Sequence, residues 1–153
     1  MLGDDYKGQN CSIARTLELI GERWTVLVLR DVFLGIRRFD ALQRDLGVAR
    51  NVLASRLERL VAEGILEKTP YQQRPLRHEY RLSEQGLDLW PTIVELMQWG
   101  DRHAAPDGPP ILIRHRGCGG VLGERRTCTV CGKPLSVREV RAEPGPGALA
   151  TPA

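Results

Sequence analysis

Four residues late in the chain have types and spacing suited to holding a metal ion. His115 and Cys118 are separated by two residues, nine residues follow, and Cys128 and Cys131 repeat the two-residue gap. Such a gap turns two ligands back onto one ion, and thiolate sulfur with imidazole nitrogen is a donor set that zinc takes tetrahedrally. The start, MLGDDYKGQN, has neither a basic nor an apolar leader region. Cytoplasmic location and reduced thiols are therefore expected, and clustered cysteines read as metal ligands or redox groups before disulfides. Two alternatives stand beside zinc: a ribbon that binds metal weakly or not at all, and a redox dithiol at Cys128-Thr-Val-Cys131, for which the surrounding βαβ pattern is missing. Cysteine is the commoner residue at the place of His115.

The ligands need elements to carry them. Short strands are expected at 111–114 and 135–140, giving a zinc-ribbon-like β annex over 111–141. A segment too small for a large apolar core would take its stability from the ion. Ala104-Ala-Pro-Asp-Gly-Pro-Pro110 cannot continue a helix and reads as a linker (104–110), and 142–153 reads as a disordered tail.

Ahead of the linker, 153 residues leave room for one domain of ordinary size. Hydrophobic residues at 42%, charged ones at 27% and a mean hydropathy of -0.27 are those of a soluble globular chain, and no apolar run reaches membrane-spanning length. Net charge is only +3, but it is segregated. Residues 30–81 hold 11 basic and 7 acidic groups, 82–101 hold 4 acidic and no basic ones, and 102–153 hold 8 basic and 4 acidic. Three scattered histidines and the absence of a Gly-rich phosphate loop or paired-carboxylate motif argue against an enzyme.

The basic segment has the periodicity of a helix-turn-helix. Apolar residues from 11 to about 30, interrupted at Gly21, predict two helices or one bent helix. Phe39, Leu42 and Leu46 predict a short helix closed by Gly47, and a second follows over about 50–63, closed by Gly64. On a wheel the latter gathers Leu53, Leu57, Leu60 and Val61 on one face and Asn51, Ser55, Glu58 and Arg59 on the other, with Arg56 at the margin and Arg50 at the start. The second helix of such a pair enters the major groove, so Arg50, Asn51, Ser55, Arg56 and Arg59 are candidate DNA contacts, with Arg37 and Arg38 ahead of the pair. A strand over 65–69, a polar turn over 70–75 and a strand over 76–82 make a basic wing, placing Gln72, Gln73, Arg74 and Arg77 at a minor groove.

Ser83 as N-cap opens a helix expected to run to about 103 with a kink at Pro91. Its apolar residues fill two stripes, 90/94/97 and 89/93/96/100, wider than one core requires. A second copy of the chain is the expected cover, through this helix and the N-terminal one, with the annex as the alternative cover. The fold class expected is thus mainly α with small β: a winged helix-turn-helix domain with a dimerisation helix (1–103) and the annex.

The chain resembles the HxlR-type winged-helix transcriptional regulators of bacteria and archaea. The resemblance is carried by Cys11-Ser-Ile-Ala-Arg-Thr-Leu-Glu-Leu-Ile-Gly-Glu-Arg-Trp24, Leu29-Arg-Asp-Val-Phe-Leu-Gly-Ile-Arg-Arg-Phe-Asp40, Leu46-Gly-Val-Ala-Arg-Asn-Val-Leu-Ala-Ser-Arg-Leu57, Gly64-Ile-Leu66 and Tyr80-Arg-Leu-Ser-Glu-Gln-Gly86, in register over 11–103. It implies a dimeric transcription factor that binds an operator in double-stranded DNA and can answer a small molecule or oxidant. It also marks Cys11 as a redox-sensing candidate, since several members sense oxidants or electrophiles there and a helix N-terminus favours thiolate. Ser12 replaces the usual proline after that cysteine. The competing reading is a protein-interaction or adaptor module with a structural ribbon and no specific operator.

Overall fold

The computed structural model describes residue 6 and residues 12–123 and 126–146. Cys11 and residues 147–153 of the expected tail lie outside the described residues. Two compact units divide after Gly86.

The first unit begins with α1 (Ser12–Ile20) and α2 (Thr25–Phe33), so Gly21 separates two helices. A side chain at Gly21 would put its Cβ 2.4 Å from the Leu17 carbonyl oxygen. Glycine therefore lets the chain turn out of α1. The apolar run on α2 buries Val28 and Leu29 fully but leaves Leu27 38% exposed, so this helix keeps one open side.

α3 (Phe39–Leu46) and α4 (Arg50–Ala62) form the helix-turn-helix. Gly47, at φ +61°, donates its N–H to the Gln43 carbonyl at 3.0 Å and ends α3 in the left-handed geometry that glycine adopts without strain. Leu42 is buried from α3, and Leu53, Leu57 and Leu60 from α4. Full burial of each such leucine contributes on the order of 1.5–3 kcal/mol. The stripe on α4 is narrower than expected, because Val61 stays half-buried.

β1 (Leu66–Gln73) pairs antiparallel with β2 (Leu76–Leu82), from Leu66 opposite Leu82 to Gln73 opposite Leu76. The strands are longer and the turn shorter than expected, with only Arg74 and Pro75 between them. Pro70 is tolerated inside β1 because the register shifts between Pro70 and Gln72, a bulge at which one residue forgoes its ladder partner. At the far end, the Ser83 hydroxyl donates to the Gly64 carbonyl at 2.6 Å and accepts the Gly86 N–H at 3.0 Å. Ser83 thus caps α5 (Glu84–Leu87) as expected.

The expected single helix from Ser83 to about His103 is instead two. α5 stops after one turn and α6 runs Trp90–His103 with Pro91 in its first turn. A proline at position 91 of a continuous helix would clash with the carbonyl of Leu87, whereas in a first turn its missing N–H costs nothing.

α6 opens the second unit. β3 (Ile111–His115) pairs antiparallel with β4 (Val140–Pro144), from Ile111 opposite Pro144 to His115 opposite Val140. A strand was expected over 135–140; residues 137–139 form a 3-10 turn instead. Ser136 and Glu139 make a capping box there, in which the Ser136 amide donates to the Glu139 carboxylate at 3.0 Å, and that bends the chain before β4 starts. β4 continues past residue 142, and Gly145 still donates to the Pro110 carbonyl at 3.0 Å. In this unit Trp90, Ile93 and Val94 are buried on α6, and Ile113, His115, Leu122, Cys128, Leu135 and Val140 are buried in the annex.

Candidate functional site

On α4 the residues turned outward are Arg50, Asn51, Ser55 and Glu58, all exposed. Arg37 and Arg38, just before α3, are exposed too. β2 is joined to this linker: the Tyr80 amide donates to the Arg37 carbonyl at 2.8 Å, and Arg38 and Glu79 form an isolated bridge. At the wing tip Gln73, Arg74 and Arg77 are exposed and Gln72 is half-buried, its amide donating to the Arg74 carbonyl at 3.1 Å.

Arg56 and Arg59 are held within the chain. Arg56 Nε donates to the Arg23 carbonyl at 3.2 Å and its guanidinium pairs with Glu22. Arg59 donates to the Glu18 carbonyl at 2.6 Å and lies 3.7 Å from the Glu22 carboxylate. Both fasten α4 to α1 and the turn after it. Glu22 is the anchor that sequence reasoning missed, since nothing in its spacing marks a residue 34 or 37 positions from its partners.

Between the start of α3, the start of α4 and the wing lies an open cleft of about 600 Å³. Arg38, Arg44, Arg50, Lys68, Arg77 and His78 line it, with Asp40 the sole acidic side chain in that lining. The Arg38 guanidinium sits 4.3 Å from the centre of the Tyr71 ring and that of Arg50 sits 4.6 Å from the Phe39 ring, so aromatic faces support two of the cations. Asp40 lies 3.8 Å from Arg50, with both side chains largely in solvent. Arg44 and Lys68 were not among the expected contacts. They are far apart in sequence, and only the closing of the hairpin over α3 gathers them.

The four candidate ligands come together as expected. His115 Nδ1 is 3.2 Å from Cys118 Sγ and 3.7 Å from Cys131 Sγ, and the Cys118 and Cys128 sulfurs are 3.1 Å apart. All four donor atoms lie within 4.8 Å of one another. His115 and Cys128 are buried, Cys118 and Cys131 exposed.

The two halves of the cluster repeat one hydrogen-bond pattern. Gly119 donates to the His115 carbonyl (2.8 Å) as Gly132 donates to the Cys128 carbonyl (2.9 Å). His115 donates to the Gly120 carbonyl (2.9 Å) as Cys128 donates to the Lys133 carbonyl (2.8 Å). Gly119 and Gly132 take positive φ, +75° and +70°, which the turn needs just after each second ligand. Two further glycines make room: a Cβ on Gly120 would stand 2.4 Å from Cys128 Sγ, and one on Gly117 3.1 Å from the His115 ring. The backbone N–H of Cys131 aimed at Cys128 lowers that thiol to about 6, while the hydrogen bond shared with Cys128 raises the Cys118 thiol. Three sulfurs and one nitrogen converging on one point fit a single tetrahedral ion, which would spread the sulfurs to roughly 3.7 Å.

These two features define a winged helix-turn-helix protein with an annex whose Cys3His cluster is arranged so that it could hold a metal ion. Residues 19–107 match the HxlR-like helix-turn-helix family, and the chain belongs to it. It is 53% identical over 147 residues to the HTH-type transcriptional regulator Rv3095 of Mycobacterium tuberculosis, covering 95% of this chain and 92% of the relative. Among solved structures, the transcription factor PA1607 is 35% identical with a TM-score of 0.71, over 88% of this chain and 95% of that one. The redox regulator HypR in its oxidised form is 30% identical with a TM-score of 0.57, over 61% of this chain and 97% of that one. The PA1607 match thus takes in more of this chain than the winged helix alone.

Proposed function

We propose that this protein is a homodimeric, sequence-specific DNA-binding transcriptional regulator. The observation that carries the reading is the helix-turn-helix whose second helix turns Arg50, Asn51 and Ser55 outward beside a wing bearing Arg74 and Arg77. In this reading α4 lies in the major groove and meets base edges through its first two turns. Arg37, Arg38, Gln72, Gln73, Arg74 and Arg77 meet phosphates and the minor groove. Arg56 and Arg59 hold α4 at its angle. The dimer forms through α1 and α6, which leave Ile13 (71%), Leu17 (40%), Leu96 (53%) and Trp99 (58%) exposed. Cys11 is the redox-sensing candidate, for which Cys11→Ser should stay on DNA under a quinone that releases the parent.

His115, Cys118, Cys128 and Cys131 hold a structural zinc ion in this reading, four protein donors leaving no position for water. The ion supplies cross-linking of the two turns, and the chain supplies the closed shell and the glycines that let the donors approach.

The reading is tested by DNA binding against salt. A two-fold operator should be bound with log affinity falling linearly in log salt, by about 0.9 per phosphate neutralised. A flat response would overturn it.

A further inference from the structure

Four donors close a metal site, but three of them are thiols, and two of those are already adjacent. Cys118 is exposed and Cys128 buried, they belong to different turns, and their sulfurs are 3.1 Å apart. A disulfide bond is about 2.05 Å long, so roughly 1 Å of approach separates the pair from covalent contact here, and about 1.7 Å where an ion holds the sulfurs roughly 3.7 Å apart. Cys131, also exposed, has the His115 nitrogen beside it at 3.7 Å. We propose that Cys118 and Cys128 are a reversible oxidation site: a hydroperoxide converts them to a disulfide, and the cross-link takes the place of the ion that joined the two turns. The ion release rests on the zinc reading above; the bond itself does not.

The chemistry balances with the hydroperoxide as sole oxidant. One thiolate of the pair attacks the peroxide: an S–O bond forms, the O–O bond breaks, and the departing alkoxide or hydroxide is protonated by the buffered solvent. The other thiolate then attacks the sulfenic sulfur, an S–S bond forms, the S–O bond breaks, and the leaving hydroxide takes a second solvent proton to become water. Two thiolates lose two electrons and the hydroperoxide gains them. Only His115 and Cys131 are left as donors, and two ligands do not make a closed zinc site.

The test treats full-length protein, purified reduced and with its metal content measured first, with hydrogen peroxide. Released zinc is followed with a colorimetric chelator and disulfides are mapped by peptide mass spectrometry. The expected result is about one ion released per Cys118–Cys128 disulfide formed, reversed by dithiothreitol with added zinc, and unchanged in Cys11→Ser. A Cys128–Cys131 disulfide, or an ion retained with all three thiols free at peroxide excess, would overturn the proposal. Protein that carries no metal at the outset would remove the zinc reading alone, and the mapped Cys118–Cys128 bond, present or absent, would still decide the oxidation site.

Discussion

Arg59 on α4 donates to the carbonyl oxygen of Glu18 on α1 at 2.6 Å, closing a loop of 41 residues with a charged hydrogen bond. A guanidinium so placed does structural duty. Arg59→Ala should lower unfolding free energy by about 1 kcal/mol, since the group is partly exposed and its pairing with Glu22 is screened. Urea denaturation reads the loss. Unchanged stability with relaxed choice at one base would put Arg59 in the groove instead.

Arg50 and Arg74 should fail differently. Replacing Arg50 by Ala should cost on the order of 1–3 kcal/mol of operator affinity and relax preference at one base pair, if the side chain leaves Phe39 for a base edge. Arg74→Ala should weaken all sequences alike and reduce the salt slope by about 0.9. Competition binding on single-base operator variants separates the two.

Asp31 is a buried carboxylate beside Arg30, which reaches one of its oxygens; the other has no hydrogen-bond partner among the described residues. Burial raises it from 3.8 to about 6, against the opposing pull of Arg30. The folded chain therefore binds this proton more tightly than the unfolded one. Its stabilising contribution is full below pH 3.8 and is lost as pH rises through about 6. Asp31→Asn should gain on the parent by about 2–3 kcal/mol between those limits. Urea midpoints at both ends of the window check the sign.

The glycines of the metal site should differ in severity. Gly120→Ala aims its methyl group at the Cys128 sulfur and should abolish stoichiometric zinc, whereas Gly117→Ala meets the edge of the His115 ring and should weaken affinity by about tenfold. Metal analysis after dialysis against chelator ranks them. In the parent, X-ray absorption should give sulfur at about 2.3 Å and nitrogen at about 2.0–2.1 Å, and stripping the ion should raise hydrogen exchange over 111–141.

Trp99 is 58% exposed on α6, and Leu96 53%. Trp99→Lys should shift the chain from dimer to monomer in sedimentation equilibrium, with the circular dichroism spectrum kept. A dimer that survives both this change and Ile13→Lys would place the interface elsewhere.

The helix-turn-helix was legible because its signals are local: apolar spacing on α4, and Gly47 and Gly64 as stops. The Cys/His cluster was legible because its four residues sit in two short repeats. What escaped was in part non-local. The anchoring of Arg56 and Arg59 depends on Glu22 across the fold, the wheel being blind to partners on other helices. The strand expected over 135–140 lost to a capping box whose Ser136 and Glu139 bend the chain. The break before α6 follows from where Pro91 falls, a choice between kink and start that periodicity does not make.

The hydrogen bond from Tyr80 to Arg37 makes the base of the wing a fixed mount and its tip a free arm. Beyond the bulge at Pro70 the ladder ties the two strands to each other and to the two-residue turn, and the Arg38 guanidinium over the Tyr71 ring is a contact from the tip side back toward α3. Residues inserted or removed in pairs there, one in each strand, would change the reach of Arg74 by about 3.4 Å per pair while leaving α3 and α4 where they stand. Span along the duplex could then be tuned in increments of roughly one base-pair rise, independently of which bases the helix reads.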